Sequence, residues 1–421
     1  MFENIINQSA IPYILEDVQN QKVPHSILFA GPENSAKMTT ALELARVMSC
    51  EQHGEWTCAC KSCIGMRAMS NVDFLILGSR DLTSEIKASA ETFLKVQSAG
   101  SHFLFSRAVK KLLIRFDPRL WDSDETRFIK ASPLVYDTSQ LLNEVQTMLE
   151  KENTDKLRST VDKIIELTDK IQNTCMYETI PVNQVRKATS WIRLAPTGRF
   201  KFLIIENAEK MQESARAAFL KILEEPPQYA FFILTTTRQA AIMQTILSRV
   251  RRYTFLARDA ETERQIVTRV FHDELPNHLD SDKILNQYFQ KFLPVAFEHI
   301  KAAALDFWNC TFRNYAAPDC RKLSTIKNFI ERQNTDEVKT ISQIINSLDK
   351  GKNPAVFKIL LEQIVAVLQV VLNTENNFTA FEIEDIHKTS NIILKWKNAN
   401  SIYNLSEQAI LESIAMEITA L

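Results

Sequence analysis

Residues 201–252 are the stretch that most restricts the fold of this chain. Two short apolar runs, 202–205 and 231–234, are typical of strands that are covered on both faces. Between the runs, apolar residues recur at helical spacing until Pro226 and Pro227 end the pattern. Two buried strands around one helix predict a βαβ unit, and a second helix that ends in the arginine run at residues 249–252 is expected after it. Polar residues follow each strand, at the edge where open α/β sheets place their chemistry.

A further buried-strand candidate, residues 26–30, is followed by a loop and a helix. A phosphate-binding P-loop requires this context, because backbone N–H groups and a helix N-terminus must converge on the phosphates. Gly31 and Lys37 match the spacing of the P-loop motif. Ala36 stands in place of its second glycine, and Met38 stands in place of the hydroxyl that holds magnesium.

Two more positions bear on nucleotide chemistry. Thr39 lies one residue too late for the magnesium-binding hydroxyl, which rotates it by about 100° around the helix. Glu206 follows the strand at which a nucleoside triphosphatase of this type carries an acidic pair, but Asn207 replaces the second acid and cannot act as a base. These departures favour a relic of a nucleotide site. Nucleotide binding without efficient hydrolysis and an active ATPase stay open as alternatives.

Four of the seven cysteines fall within residues 50–63. Four thiolates in a short loop can close a tetrahedral structural zinc site, and such a site leaves no open position for catalysis. The proposed ligands are Cys50, Cys58, Cys60 and Cys63. His53 is an alternative ligand, because one residue between Cys58 and Cys60 is a shorter spacing than usual. A cluster of free thiols is the other alternative.

Composition limits the class of protein. With 421 residues and 45% hydrophobic content, the chain is long enough for two or three domains. The net charge of -1 means that any nucleic-acid contact must come from a local patch. The first twenty residues lack the pattern of a signal peptide, and no uncharged apolar run approaches membrane-spanning length. We therefore expect a soluble, cytoplasmic protein without a membrane partner.

The remaining segments are helical in pattern. Residues from about 79 to 177 are polar, charged and helically periodic, which predicts a helical insertion. It could be a solvated hairpin or an arm that contacts a partner or DNA, and Lys110, Lys111 and Arg115 beside apolar residues slightly favour the arm. After residue 255 the pattern is wholly helical. The expected domains are an α/β domain at 1–256, a first helical domain at 257–315 and a second at 316–421.

Several motifs together are similar to one family. They are FENIINQ, HSILFAGP, the four cysteines after the helix that follows the P-loop, ARAAFLKILEEPP, FFILTTT and ILSRVRR. In these motifs the chain resembles the clamp-loader family of AAA+ proteins, most closely subunits of the DNA polymerase III delta-prime type. The resemblance covers residues 1–78 and 180–256. It implies a RecA-like α/β domain with a zinc-binding loop, a small helical lid and a helical collar that joins subunits in a ring.

The resemblance also implies roles for individual residues. Ser248, Arg249 and Val250 correspond to the family's Ser-Arg-Cys motif, whose arginine reaches into the ATP site of the adjacent subunit. A positioned arginine of this kind can contribute roughly 10³ to 10⁵ in rate. The implied protein is a non-hydrolysing subunit that holds structural zinc, holds no ATP or Mg²⁺ of its own and has no intrinsic ATPase activity.

The implied partners are gamma/tau and delta subunits, the sliding clamp, and primer-template DNA within the complex. Two other functions remain possible. Lys37 and Thr39 favour an ATP-binding or weakly active subunit of the gamma/tau kind, with Gly31 as part of its nucleotide loop. The four cysteines are also compatible with a zinc-ribbon DNA-binding protein in which the α/β part is only a scaffold.

Overall fold

The structure is a computed structural model, and the parts of the chain that it describes are residues 1–150, 155–274, 284–315, 323–333, 338–348, 354–374, 378–403 and 405–420. The chain divides into two compact units, Met1–Phe292 and Leu293–Leu421. The predicted division into three domains stays a prediction. Its boundary at residue 316 lies outside the described residues.

The first unit contains one parallel sheet of five strands in the order β2-β3-β4-β1-β5. The strands are β1 (Ser26–Ala30), β2 (Phe74–Gly78), β3 (Lys201–Glu206), β4 (Ala230–Thr236) and β5 (Arg251–Thr254). This sheet confirms the predicted α/β fold and the buried strands read from the apolar runs. The prediction that a helix ends in the arginine run was wrong at Arg251 and Arg252, which lie in β5. As an edge strand, β5 buries only Tyr253 and therefore shows no apolar run.

The helices of the first unit cover both faces of the sheet. They are α1 (Ala10–Gln19), α2 (Lys37–Ser49), α3 (Lys61–Arg67), α4 (Thr83–Val96), α5 (Ala99–Leu113), α6 (Thr126–Glu150), α7 (Leu157–Cys175), α8 (Val182–Ile192), α9 (Glu213–Glu224), α10 (Gln244–Leu247), α11 (Ala260–Val270) and α12 (Ile284–Gln290).

Side chains alternate between two cores along β3. Phe202 and Ile204 pack with α1 and α2 on one face, whereas Leu203 and Ile205 pack on the other face with the helices that follow β2. The segment from α4 to α7 is not a solvated hairpin. Its buried side chains, which include Val109 of α5, belong to the same core as the sheet.

Strand register brings the functional positions to one edge of the sheet. Ala30 pairs with Thr236 of β4, and Gly78 of β2 pairs with Glu206 of β3. Because the strands are parallel, their carboxyl ends meet at this edge. Gly31 begins the loop after β1, and a Cβ atom there would lie 2.3 Å from the Phe255 carbonyl oxygen, so only glycine fits.

Helices are the only regular secondary structure among the described residues of the second unit. Its helices are α13 (Phe297–Cys310), α14 (Ser324–Gln333), α15 (Ile341–Ser347), α16 (Pro354–Thr374), α17 (Ala380–Tyr403) and α18 (Glu407–Ala420). Within the described part of the chain, one helical stretch, Val356–Thr374, is long and apolar enough to cross a membrane by length and composition alone. A core helix passes the same test, and Leu360, Ile364 and Leu368 of this stretch are buried in the core of the unit.

Candidate functional site

The loop after β1 has a left-handed backbone conformation at the position where the P-loop motif carries its second glycine. Ala36 directly precedes α2 and has φ = 66°, in the left-handed region that glycine adopts most easily. Asn34 in the same loop also has a positive φ of 57°. The backbone thus retains a strained conformation that is common at ligand sites. This backbone conformation alone does not make a phosphate-binding site. Phosphate binding also depends on whether the amine of Lys37 is available.

Lys37 is turned inward and is buried. Its Nζ donates hydrogen bonds to the carbonyl oxygen of Gly31 at 2.8 Å and to Ser35 Oγ at 3.1 Å, and it forms a third, short contact with the carbonyl oxygen of Pro32. Burial, together with the nearby charge of Arg80, lowers the pKa of Lys37 to about 8. The amine that would bind a nucleotide phosphate is therefore already bound by oxygens of its own loop.

The hydroxyl that would hold magnesium is absent from the expected position. Met38 is buried and packs in the core with Phe29 and Ala41. The hydroxyl of Thr40 donates to the carbonyl oxygen of Ala36 at 2.9 Å, as helix-interior threonines often do. Thr39 is half-buried at the start of α2. The structure thus places the predicted loop residues at the edge of the sheet but does not give them the magnesium-binding arrangement.

Two carboxylates follow β3, and only one of them was singled out from the sequence. Glu206 ends the strand and forms ion pairs with Arg115 at 2.5 Å and with Arg80 at 3.3 Å. Glu209 is also buried, and its Oε1 accepts hydrogen bonds from the backbone N–H and the hydroxyl of Thr237. Its Oε2 has no hydrogen-bond partner among the described residues. Asn207, between them, has φ = 55°, a left-handed conformation that asparagine tolerates.

These residues do not fit a magnesium nucleotide. The lysine is occupied by the loop, the magnesium-binding hydroxyl is missing, and the first acid is neutralised by arginines. Comparison with the P-loop motif identified the missing hydroxyl, and comparison with the acidic pair of nucleoside triphosphatases identified the missing second acid. Sequence analysis did not predict that Arg80 and Arg115 pair with Glu206, because no local motif links them to a residue 126 and 91 positions further along the chain. Arg115, named from the sequence as support for a contacting arm, is buried instead.

The loop is also held from α11 and α12 and the segment that precedes them. Arg258 Nη1 donates to the carbonyl oxygen of Asn34 at 2.7 Å, and the side-chain amide of Asn34 contacts Asn286 of α12. Glu263 of α11 accepts a hydrogen bond from the backbone N–H of Leu285 at 3.0 Å, which ties the two helices together. Sequence analysis did not identify Arg258 and Asn286, since their contacts with Asn34 bring together parts of the chain more than 200 residues apart.

Arg249 lies at the surface, just after α10. Its side chain is 34% exposed, and its Nη2 forms an ion pair with Glu224 Oε1 at 2.8 Å. Its Nη1 donates to the carbonyl oxygen of Thr245 at 2.8 Å and lies 3.2 Å from Ser248 Oγ. Val250, the next residue, is buried in the core. The chain therefore fixes the backbone beside Arg249 and leaves its guanidinium accessible to solvent.

The four predicted cysteines come together next to α2 and α3. The sulfur atoms of Cys50, Cys58, Cys60 and Cys63 all lie within 4.8 Å of one another. Four sulfur atoms so close can bind a metal ion, and the cluster fits a structural zinc site. His53 is exposed and does not belong to this group, which is the only such group of metal-binding side chains in the described parts of the chain.

Arg46 of α2 connects the cysteine loop to the core. It is buried and paired with Glu43 through contacts of 2.9 and 2.7 Å. It donates to the carbonyl oxygen of Gly54 at 2.7 Å and to Cys63 Sγ at 3.2 Å, and it lies over the ring of Trp56. A contact to a ligand atom from a second residue orients that ligand. Sequence analysis did not identify Arg46, because its role depends on this packing.

The family model for DNA polymerase III, delta subunit, matches residues 6–105 and 138–259, which together make up more than half of the chain. The chain belongs to this clamp-loader family. The intervening residues 106–137 lie outside the match, and they contain Arg115 and Lys111.

Curated relatives match this clamp-loader chain over shorter stretches. A DNA polymerase III subunit delta' from Buchnera aphidicola is 40% identical over 82 residues, which are 18% of this chain and 24% of that protein. Subunit tau of Bacillus subtilis is 37% identical over 75 residues (18% of this chain, 13% of that protein), and subunit tau of Escherichia coli is 33% identical over 94 residues (22% and 15%). The match thus spans at most about a quarter of the length of these relatives.

Among solved structures, a gamma subunit-related DNA polymerase III protein from Thermotoga maritima is similar at 19% identity, with a TM-score of 0.31. The similarity covers 57% of this chain and 80% of that protein.

Replacing Arg46 tests its role in anchoring the cysteine loop. We expect Arg46→Ala to lower the free energy of unfolding by roughly 3 to 5 kcal/mol, because Glu43 would stay buried without its counter-charge. Urea unfolding followed by circular dichroism measures this loss, and metal analysis of the same samples measures zinc retention. Arg158→Ala, which removes an exposed arginine of α7, is the control. Equal stability of the two variants would contradict the assigned role.

Proposed function

We propose that this protein is a non-hydrolysing, delta-prime-like subunit of the replicative clamp loader, and that it supplies Arg249 to the ATP site of a neighbouring ATPase subunit. The observation that carries the proposal is the inward position of Lys37, whose amine is bound by Gly31, Pro32 and Ser35 of its own loop. A subunit with such a loop contributes to ATP chemistry through residues that it presents to another subunit.

Arg249 is suited to that role by its setting. Its ion pair with Glu224 joins two partly exposed side chains, with 34% and 52% exposure. Pairs of this kind contribute little to stability, so the arginine can exchange Glu224 for a phosphate at small cost. A guanidinium offers a fixed charge and a planar set of donors that match phosphate oxygens. Ser248 donates to the carbonyl oxygen of Thr245 and helps to end α10 beside it.

The proposed partners follow from the same assignment. We propose that the chain assembles with gamma/tau and delta subunits and acts with them on the sliding clamp and on primer-template DNA, in the cytoplasm. The helices of the second unit are the proposed collar, and α11 and α12 belong to the proposed lid. Cys50, Cys58, Cys60 and Cys63 hold structural zinc in this proposal, whereas Gly31, Lys37 and Thr39 bind no ATP or Mg²⁺.

The second candidate is an ATP-binding or weakly active subunit of the gamma/tau kind. It is favoured by the matches to tau subunits and by Glu209, a buried carboxylate with a free oxygen. For this function, Lys37 would have to leave its three oxygen partners and bind phosphate. Titration of the isolated chain with ATP and Mg²⁺ separates the two functions: turnover that Lys37→Ala abolishes would favour the second candidate.

Removal of Arg249 tests the main proposal. In a reconstituted clamp loader, Arg249→Ala should leave assembly unchanged, as measured by size-exclusion chromatography. DNA-stimulated ATP hydrolysis at the adjacent site should fall by roughly 10³ to 10⁵, the contribution of a positioned arginine. Arg249→Lys should restore little, because lysine lacks the planar set of donors. Arg252→Ala, at an exposed arginine of β5, is the control. ATPase activity equal to that of the control would rule out the trans role of Arg249.

Metal removal tests the zinc assignment. We expect about one zinc ion per chain in protein purified without chelator, and a lower Tm after chelation, because a structural zinc site contributes directly to folding. Cys58→Ser should reduce both zinc content and Tm. Cys175→Ser offers a matched control, since Cys175 is a buried free thiol outside the cluster. Protein that contains no zinc, or that loses none in Cys58→Ser, would contradict the assignment.

A further inference from the structure

Residues 106–137 bring positive charge to the edge of the sheet. This segment lies outside the family match and follows the start of α5. It carries Lys111 near the end of α5 and Arg115 in a short 3₁₀ turn, Ile114–Phe116, directly after it. Arg115 is 3% exposed, so almost its whole side chain is enclosed. A charge buried this deeply requires a partner, and its partner is Glu206.

Both oxygens of the Glu206 carboxylate are taken by arginines. Arg115 Nη2 lies 2.5 Å from Oε2, and Arg80 Nη1 lies 3.3 Å from Oε1. Arg80 also lies 3.1 Å from Glu85, which forms a second, short ion pair with Lys111. Three cations and two carboxylates thus form one connected network. Each oxygen of Glu206 is thus paired with an arginine, so the negative charge that would attract a metal ion is already compensated.

The surrounding structure holds Arg115 in this position. Its Nη1 donates to the carbonyl oxygen of Arg80 at 2.6 Å, and its own carbonyl oxygen accepts a hydrogen bond from Trp121 Nε1 at 2.7 Å. Trp121 is stacked on Phe116 and on Tyr177, with ring centroids 5.2 and 5.7 Å apart. The guanidinium therefore stays at Glu206 without a ligand.

We infer that Arg115 is the permanent counter-ion of Glu206 and excludes a divalent cation from this site. The inference rests on the proposed function only in treating Glu206 as the first acid of a nucleotide-site remnant. A buried carboxylate at this edge needs compensation of its charge, which magnesium would provide in a nucleotide-binding subunit. Here residues 106–137 provide it through Arg115. The stability of the sheet edge around Glu206 therefore does not depend on bound Mg²⁺ or nucleotide.

The test compares the stability of variants with and without Mg²⁺, using the full chain. Arg115→Ala should lower the Tm by roughly 6 to 20 °C, because it leaves Glu206 buried with only the longer contact to Arg80. Addition of about 10 mM MgCl₂, matched in ionic strength with NaCl, should then raise the Tm of this variant by roughly 2 to 5 °C, because Mg²⁺ can take the vacated place. The Tm of the wild type should not change with Mg²⁺.

Three further variants make the result specific. Arg115→Ala combined with Glu206→Gln should lose the response to Mg²⁺, because the carboxylate is gone. Arg115→Lys retains the positive charge, so it should also lack the response, and it serves as the test variant if Arg115→Ala does not fold. If Arg115→Ala does not fold, we expect Arg115→Lys to have a lower Tm than the wild type, and we expect that Tm not to change with Mg²⁺. Lys130→Ala, at an exposed cation of the same segment, should match the wild type.

Several results would overturn the inference. They are a Mg²⁺ response of the wild type, a folded Arg115→Ala without one, an equal response in the double variant, or a Tm of Arg115→Lys that equals the wild type or rises with Mg²⁺. These measurements use the isolated chain and no ATP hydrolysis. An ATPase result that rules out the trans role of Arg249 would therefore not change the Tm measurements. Equally, Tm measurements that overturn the role of Arg115 would not change the ATPase result.

Discussion

The parallel register of β1, β3 and β4 is the constraint on which the rest of the first unit depends. It sets Ala30 beside Thr236, and it sets Ile205, the residue before Glu206, beside Leu234. As a result, the loop after β1 and the acid after β3 share one edge, although they lie more than 170 residues apart in the chain. The alternating side chains of these strands fill two cores, and those cores fix the register, because a slip of one residue would place each side chain on the opposite face.

At that edge, contacts within the chain hold the loop after β1. Ala36 remains in a left-handed conformation, which is strained for any residue with a Cβ atom. The loop keeps this conformation because Lys37 binds its carbonyl oxygens from inside and Arg258 binds Asn34 from outside. Contacts within the chain thus replace those that a bound phosphate would make, and the loop needs no ligand to hold its shape.

Sequence reasoning predicted the features that depend on local pattern. Buried strands appear as apolar runs, and the substitutions at Met38 and Asn207 are visible against a fixed motif spacing. The proximity of the four cysteines also followed from their spacing and is present in the structure. The edge strand β5 was missed, because a half-exposed strand that contains Arg251 and Arg252 has no apolar run. The ion pairs of Arg46, Arg80 and Arg115 were not predicted, because the choice of partner for an enclosed or half-buried charge depends on tertiary packing.

Burial separates the roles of two arginines of the first unit, Arg115 and Arg249. Arg115 is enclosed, and removing its partner would leave an uncompensated charge in a low-dielectric environment, so it is bound to one carboxylate permanently. Arg249 pairs with a carboxylate that is itself half-exposed, so water can replace that partner at little cost. The same functional group is thus a fixed structural charge at the end of β3 and an exchangeable one after α10. Only the exchangeable arginine can release its carboxylate for another anion at little cost.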